Sequence, residues 1–210
     1  MVRDAIAVLV VLIATPAVTL AQDDRFYVGA ALTLSTQTHG EDEPLGGTKP
    51  SGGAFAGVRL SPRLALEFEQ SFTPRYSWEY SYHFSFSGIA DVIASRRDDY
   101  YSFELRSRAG VFEPVAGVAY IHGNIARHAI AGGRPYFDDD ASQHAVAAVG
   151  GLDLNARVGK HVDLIPTFRV LAATRRGTMK SLDYLVDPLR LQTSTGAFVL
   201  RYGIGVRMNF

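Results

Sequence analysis

The stretch FVLRYGIGVRMNF, residues 198–210, alternates between apolar and polar positions without interruption. Its even-numbered positions are all apolar, whereas its odd-numbered positions include Arg201, Arg207 and two glycines. Side chains of a β-strand point alternately to its two faces, so the pattern predicts a strand with one apolar and one charged face. Such a strand would invite aggregation in water, but it matches the lipid-facing wall of a transmembrane barrel.

The composition allows one domain and excludes cysteine chemistry. The chain has 210 residues, with 21 Lys plus Arg balanced by 21 Asp plus Glu. This charge balance gives no reason to expect a nucleic-acid partner. The chain has no cysteine, which excludes disulfides and any cysteine-ligated metal.

The N-terminal segment predicts secretion. Arg3 precedes an apolar run over 5–14, and Thr19-Leu20-Ala21 supplies small residues for cleavage. We therefore expect residues 1–21 to be a signal peptide and residues 22–210 to form the barrel. A transmembrane anchor is the alternative, but Pro16 interrupts a run that is already short for a membrane helix. Crossing the membrane then requires a closed barrel.

Similar alternation recurs along the chain and gives eight predicted strands. Short connections fall near residues 61, 110 and 158, and long ones near 43, 86, 133 and 184. We expect irregular loops over 123–143 and 174–194. The sequence predicts an all-β fold, an eight-stranded antiparallel up-and-down transmembrane β-barrel with short periplasmic turns and long outer loops.

Two segments carry a family resemblance, Tyr27-Val28-Gly29-Ala30 in the first strand and residues 201–210 at the end. The chain resembles the outer-membrane protein β-barrel domain family, the small eight-stranded OmpA/OmpX/OmpW-like barrels. The resemblance implies a location in the cell outer membrane. It also implies an assembly signal for the outer-membrane assembly machinery, formed by Tyr202, Ile204, Val206, Met208 and Phe210. It says little about function, because one fold hosts many roles.

The polar faces of the predicted strands are rich in charge. A soluble lipocalin-like carrier would reverse the polarity, but these charges favour an apolar outer face. We expect a lumen charge network of Arg59, Glu67, Glu69, Glu104, Arg106, Arg108, Asp153, Asp163, Arg169, Arg201 and Arg207. Unpaired buried charges are costly, so the set predicts a plug in which Glu67 faces Arg108 and Glu69 faces Arg106. An ion-conducting pore is the alternative.

An aromatic run extends the third strand past the membrane. Tyr76, Trp78, Tyr80, Tyr82, Phe84 and Phe86 share the even parity of residues 64–72. We expect an outer aromatic hairpin turning near Ser87-Gly88, with an aromatic girdle at the membrane surface. A projecting sheet edge that pairs with a surface protein partner is the alternative.

Candidates for chemistry are few. His83-Phe84-Ser85 has the His-x-Ser spacing of lipid A deacylases, with Glu79 and Glu104 as candidate acids. Asp138-Asp139-Asp140 could bind Ca²⁺, although such a run is usually a solvated loop. The six histidines show no recognised metal spacing. Cations of the predicted outer loops could meet lipopolysaccharide phosphates: Arg96, Arg97, Arg175, Arg176 and Lys180.

The sequence thus predicts an outer-membrane barrel with a charge-plugged lumen that is not an enzyme and has no cofactor. Its expected role is structural or surface-interacting, through adhesion or contact with outer-membrane lipid and lipopolysaccharide. A small passive channel for ions or amphipathic solutes is the first alternative. A lipid A-modifying enzyme is the second.

Overall fold

A computed structural model describes residues 25–37, 48–83, 88–180 and 190–210. The described residues form ten strands: β1 (Phe26–Gln37), β2 (Thr48–Ser61), β3 (Leu64–Phe72), β4 (Tyr76–His83), β5 (Ile89–Ser107), β6 (Phe112–Ala131), β7 (Arg134–Leu154), β8 (Ala156–Arg157), β9 (Val162–Lys180) and β10 (Arg190–Asn209). None of these residues belongs to a helix long and apolar enough to cross a membrane. The expected signal peptide lies outside the described residues and stays a prediction.

The strands close into a ring of eight. Neighbours pair antiparallel in the order β10-β1-β2-β3-β5-β6-β7-β9, and β9 pairs with β10 to complete the circle. Of the two remaining strands, β4 follows β3 and pairs with β5, and the two-residue β8 follows β7 and pairs with β9. Tyr27 opposite Asn209 joins the first strand to the last. The predicted eight-stranded up-and-down barrel is confirmed.

The apolar face of the barrel points outward. Val118, Val146 and Phe198 are 57–72% exposed, whereas the next residue of each strand is buried. Large apolar side chains also cover the outside of β1, β3 and β5. A soluble carrier would show the opposite polarity, so the lipocalin-like alternative is wrong. The polarity is the one that a lipid-facing wall requires.

Five strands are about twice as long as a membrane crossing needs. β5, β6, β7, β9 and β10 each have 19–21 residues, against roughly 9–11 for a spanning strand. On the outward face, the apolar band ends at Tyr120 and Val146, and the next outward positions are His122 and His144. The upper halves of these strands therefore project beyond the membrane.

The expected loops over 123–143 and 174–194 are wrong. β6 and β7 continue to a tight turn at Gly132 and Gly133, whose φ angles of 58° and 75° suit glycine. Likewise β9 extends to Lys180, and β10 begins at Arg190. Above the membrane the outward face of these strands is mostly polar. The alternation of apolar and polar residues that identifies a strand in the sequence is therefore lost there, although the strands stay paired.

The junction between β3 and β4 contains one extra residue. Three residues separate Phe72 from Tyr76, whereas only two separate their register partners Asp99 and Arg96. A one-residue bulge exchanges the faces of a strand. The expectation that β4 continues the even parity of β3 is therefore wrong, since Tyr76 is opposite the buried Arg96.

The register between β3 and β5 also differs from the prediction. Glu67 is opposite Glu104 and not Arg108, while Arg106 is opposite Ala65. The predicted register assumed uninterrupted pairing from a turn at Ser87-Gly88. The observed register is displaced by four residues: the β4–β5 pairing accounts for three of them, with His83 opposite Ile89, and the bulge accounts for one.

Candidate functional site

Charged side chains fill the periplasmic end of the barrel. Arg207 of β10 donates to both carboxylate oxygens of Glu113, at 2.8 and 2.9 Å, and to Asp163 at 3.3 Å. Asn209 donates to Asp163 at 2.9 Å and accepts from Arg59 at 2.6 Å. A bidentate arginine–carboxylate pair is among the stronger ion pairs and fixes the geometry of both side chains.

A second layer centres on Arg106 of β5, which is 5% exposed. Its guanidinium donates to Glu67 at 2.5 Å and to Asp153 across the lumen. Arg169 donates to the other oxygen of Asp153 at 2.5 Å and to Glu104 at 3.0 Å. Four strands are thereby tied together through the interior, and every member is paired as buried charges require.

The third layer is a single ion pair at mid-height. Arg201 donates to Glu69 at 2.5 Å, and its guanidinium lies 5.5 Å from the ring centre of Tyr100. This cation–π contact joins the charged layers to the apolar residues above them.

An apolar layer lies above the charges, and it was not predicted. Its members are buried on inward positions of five strands: Tyr100, Ala119, Ile121, Ala145, Ala147, Val149, Leu171, Ala173 and Val199. Further out, Arg96 donates to Asp98 at 3.1 Å, and both side chains are at most 1% exposed. The described lumen therefore contains a hydrophobic layer between two polar ones.

The space left in the charged layers is small. One cavity of about 20 Å³ lies between Phe55, Glu69 and Arg201, and another of about 20 Å³ lies between Glu113 and Arg207. Each has room for about one water molecule. An eight-stranded barrel is just wide enough for side chains to fill its interior, and here they do.

The eleven predicted lumen charges divide into three groups. Nine are buried in the interior: Glu67, Glu69, Glu104, Arg106, Asp153, Asp163, Arg169, Arg201 and Arg207. Arg59 is partly buried, and its side chain bonds Asn209. Arg108 is exposed just after β5 ends and lines a cavity at the periplasmic end with Arg106 and Arg207, so it lies outside the buried network.

Sequence reasoning missed Glu113, Asp98 and the inward place of Arg96. Glu113 is the second residue of β6, whose two faces are both largely apolar, so parity could not be assigned there. Arg96 was expected in an outer loop facing lipopolysaccharide, but it lies in β5 and is buried. Counting by two along the second arm of the predicted hairpin, from the outward Phe103 and Leu105, is the signal that could have placed Arg96 and Asp98 inside.

The carboxylates of Glu67, Glu69 and Glu104 lie within 4.8 Å of one another. Three buried acids could in principle hold a cation. Each of them, however, already accepts an arginine: Arg106, Arg201 and Arg169 respectively. The cluster is therefore part of the ion-pair network, which also contains Asp153, Glu113 and Asp163.

The remaining candidates are dispersed. Asp138, Asp139 and Asp140 lie in β7, not in a loop, and alternate between its faces, with Asp139 accepting from Arg127 at 2.9 Å. Three carboxylates on alternating faces cannot converge on one Ca²⁺. Glu104 is committed to the lumen, which removes it as the acid of a His-x-Ser site.

Several residues predicted for the outer loops and the hairpin lie outside the described part of the chain or belong to strands. Phe84, Ser85 and Phe86 lie outside the described residues, so the deacylase spacing and the tip of the aromatic hairpin stay predictions. Arg175, Arg176 and Lys180 belong to β9, not to a loop. Arg97, in contrast, is 42% exposed and bonds Asp99 at 3.2 Å.

No protein-family model matches the chain, and no curated protein sequence matches it. Solved structures do. A major outer membrane protein from Thermus thermophilus is 10% identical, with a TM-score of 0.50, over 86% of this chain and 99% of that one. The fold is that of a small outer-membrane β-barrel.

Other outer-membrane barrels are similar in the same way. Ail, the attachment invasion locus protein of Yersinia pestis, is 10% identical with a TM-score of 0.49, over 89% of this chain and 98% of that one. OprG from Pseudomonas aeruginosa is 9% identical with a TM-score of 0.47, over 89% and 97%. The fold and the apolar outer band of this chain agree with a location in the outer membrane.

Proposed function

We propose that this outer-membrane barrel is a closed, non-catalytic structural protein whose outer rim contacts lipopolysaccharide. The filled interior carries the proposal. Paired charges occupy three layers of the described lumen, an apolar layer caps them, and each of two small cavities among them has room for about one water. A wall closed in this way stabilises the barrel and leaves its outer surface as the part available for interaction.

The outer rim has the chemistry for a lipid phosphate. Tyr101 and Tyr120 are register partners on β5 and β6, and their ring centres are 6.4 Å apart. Tyrosine is enriched at the level of the lipid headgroups. Arg97 lies one outward position beyond Asp99, and its guanidinium is 5.8 Å from the ring centre of Phe72. A half-exposed guanidinium beside the aromatic band is placed to bind a phosphate of the outer leaflet.

Planar-bilayer recording tests closure against the channel alternative. The purified full chain is expected to give no steady conductance above that of the bare bilayer. Reproducible unitary currents from the intact protein would contradict closure and favour the small passive channel.

Lipid A binding tests the rim. Arg97→Ala is expected to lower the fraction of barrel carrying phosphorylated lipid A several-fold in native mass spectrometry. Arg108→Ala, an exposed arginine at the opposite end, is the matched control and should leave it unchanged. Equal binding by both variants, or undiminished binding of dephosphorylated lipid A, would contradict the proposed contact.

A further inference from the structure

Two histidines far apart in sequence meet on the outward face of the β6–β7 hairpin. His122 and His144 are register partners, and their Nδ1 atoms are 3.2 Å apart. The hydroxyl of Tyr120, one outward position nearer the membrane, lies 2.6 Å from Nδ1 of His144. Two imidazole nitrogens and a phenol oxygen therefore converge just above the apolar band.

The separation of the two nitrogens fits a bridging metal ion. Zn²⁺ binds imidazole nitrogen at about 2.0–2.1 Å, so two nitrogens on one tetrahedral ion are about 3.3–3.4 Å apart. The observed 3.2 Å is close to this value. An ion between the rings would use the lone pairs of both without a large movement of either ring. The Tyr120 hydroxyl, now 2.6 Å from Nδ1 of His144, would move away from that nitrogen by about 0.7 Å to become a third ligand.

Hydrogen bonds alone cannot satisfy Tyr120, His122 and His144 together. Nδ1 of His144 offers one hydrogen-bonding position, as donor or as acceptor, yet both Tyr120 and His122 lie within hydrogen-bond distance of it. One of the two contacts must be made imperfectly. A metal ion removes the conflict, because each ring then keeps its proton on Nε2 and gives its Nδ1 lone pair to the ion.

The side chain of Asn124 is placed to support His122 as a metal ligand. Nε2 of His122 is 3.2 Å from the side-chain amide of Asn124, and that amide also accepts from Ser142 at 3.1 Å. If the Asn124 side-chain amide is rotated by roughly 180° around its Cβ–Cγ bond, its oxygen accepts a hydrogen bond from the Nε2 proton of His122. A hydrogen bond to the second nitrogen is the usual support of a metal-binding histidine.

Charged residues are the register partners of both histidines on the neighbouring strands. Asp99 is the register partner of His122 on β5, and its carboxylate accepts two bonds from Arg97 at 3.2 Å. Arg176 is the register partner of His144 on β9. The carboxylate of Asp99 is placed to add a favourable field for a cation, and its own arginine limits that field.

We propose that His122 and His144, with Tyr120 as a third donor, form a site for a borderline divalent transition-metal ion such as Zn²⁺ at the outer rim. Imidazole is a preferred ligand of Zn²⁺, Cu²⁺ and Ni²⁺. The remaining coordination position is open to water. This site goes beyond the proposed lipid contact, which depends on Arg97.

Titration calorimetry with ZnCl₂ on the folded full chain in detergent tests the proposal. We expect one Zn²⁺ per chain, with affinity lowered by more than about tenfold in His144→Ala, because even removal of a supporting partner costs tenfold or more. Tyr120→Phe should weaken binding less. Bound Co²⁺ should show the visible absorption of a tetrahedral site.

Two histidine controls make the test specific. His128→Ala removes a histidine from the same hairpin that bonds Asp138 instead of another histidine, and His161→Ala removes an exposed one at the periplasmic end. Both should keep the wild-type affinity, and heat-modifiable gel migration should show that every variant is folded. Absence of Zn²⁺ binding at millimolar concentration, or equal loss in His128→Ala and His144→Ala, would overturn the proposal.

Discussion

At the scale of the residue, Arg106 is the centre of the buried network. It donates to Glu67 and Asp153 from two other strands and is almost completely buried. Arg106→Met would leave both carboxylates without this partner in a dry interior. Loss of one partner of a buried pair costs about 3–5 kcal/mol. We expect a decrease of that size in the free energy of unfolding, measured by urea titration in lipid vesicles.

Arg108→Met is the matched control for Arg106→Met. Arg108 is the same residue type two positions further along the chain, but it is exposed at the turn. Exposed substitutions of this kind change stability by about 0.5 kcal/mol or less. Similar losses in the two variants would show that the network around Arg106 adds nothing beyond an ordinary arginine.

The same pair of residues shows what alternation can predict. Nine of the charges that parity assigns to the lumen are buried, because face assignment depends only on counting by two from an apolar band. Parity did not indicate that β5 ends at Ser107, so Arg108 was assigned to the lumen with the others. The partners of each charge depend on register and on contacts across the lumen, which no local pattern contains.

At the scale of the element, adjacent glycines in β7 report how closely the strands approach. A Cβ at Gly151 would lie 2.3 Å from the carbonyl oxygen of Phe168 and 2.7 Å from the Arg169 side chain, whereas one at Gly150 would meet nothing within 4 Å. Overpacking of this kind costs about 1–3 kcal/mol. We expect Gly151→Ala to lower the free energy of unfolding by that amount.

Gly150→Ala is expected to be neutral or slightly stabilising, because it restricts only the unfolded chain. Urea titration in vesicles measures both variants. A larger loss for Gly150→Ala than for Gly151→Ala would contradict the arrangement of β7 against β9.

Elements above the membrane were the hardest to predict. The upper halves of β6 and β7 stay paired, with one irregularity between Ala129 and Ile130, yet their outward residues include Asn124, His128, Asp140 and Ser142. Without an apolar outer face, such strands resemble loops in sequence. The bulge between β3 and β4 caused a different error, because one extra residue exchanges the faces of β4 relative to β3.

At the scale of the whole molecule, the barrel is a closed wall with a filled interior. The sequence indicated the number of strands and the outward polarity, because both follow from period-two alternation interrupted by turns. The sequence did not indicate the apolar layer in the lumen, because alanine and valine also occur on lipid-facing surfaces. Their inward position depends on the register of β6, β7 and β9 together.

The histidine pair illustrates the same limit. His122 and His144 are 22 positions apart and show no metal-binding spacing. They meet because β6 and β7 continue as a hairpin beyond the membrane. Sites of this kind depend on long-range register and become visible only in the folded barrel.

The outward polarity is the central claim, and a spin-label scan tests it most directly. The chain has no cysteine, so single nitroxides can be placed at Val118, Val146 and Ile204, with Ala119 and Ala147 as inward neighbours. In lipid vesicles the outward three should be accessible to oxygen and protected from a water-soluble nickel complex, and the inward two protected from both. Greater access of the nickel complex than of oxygen at Val118, Val146 and Ile204 would contradict a lipid-facing wall.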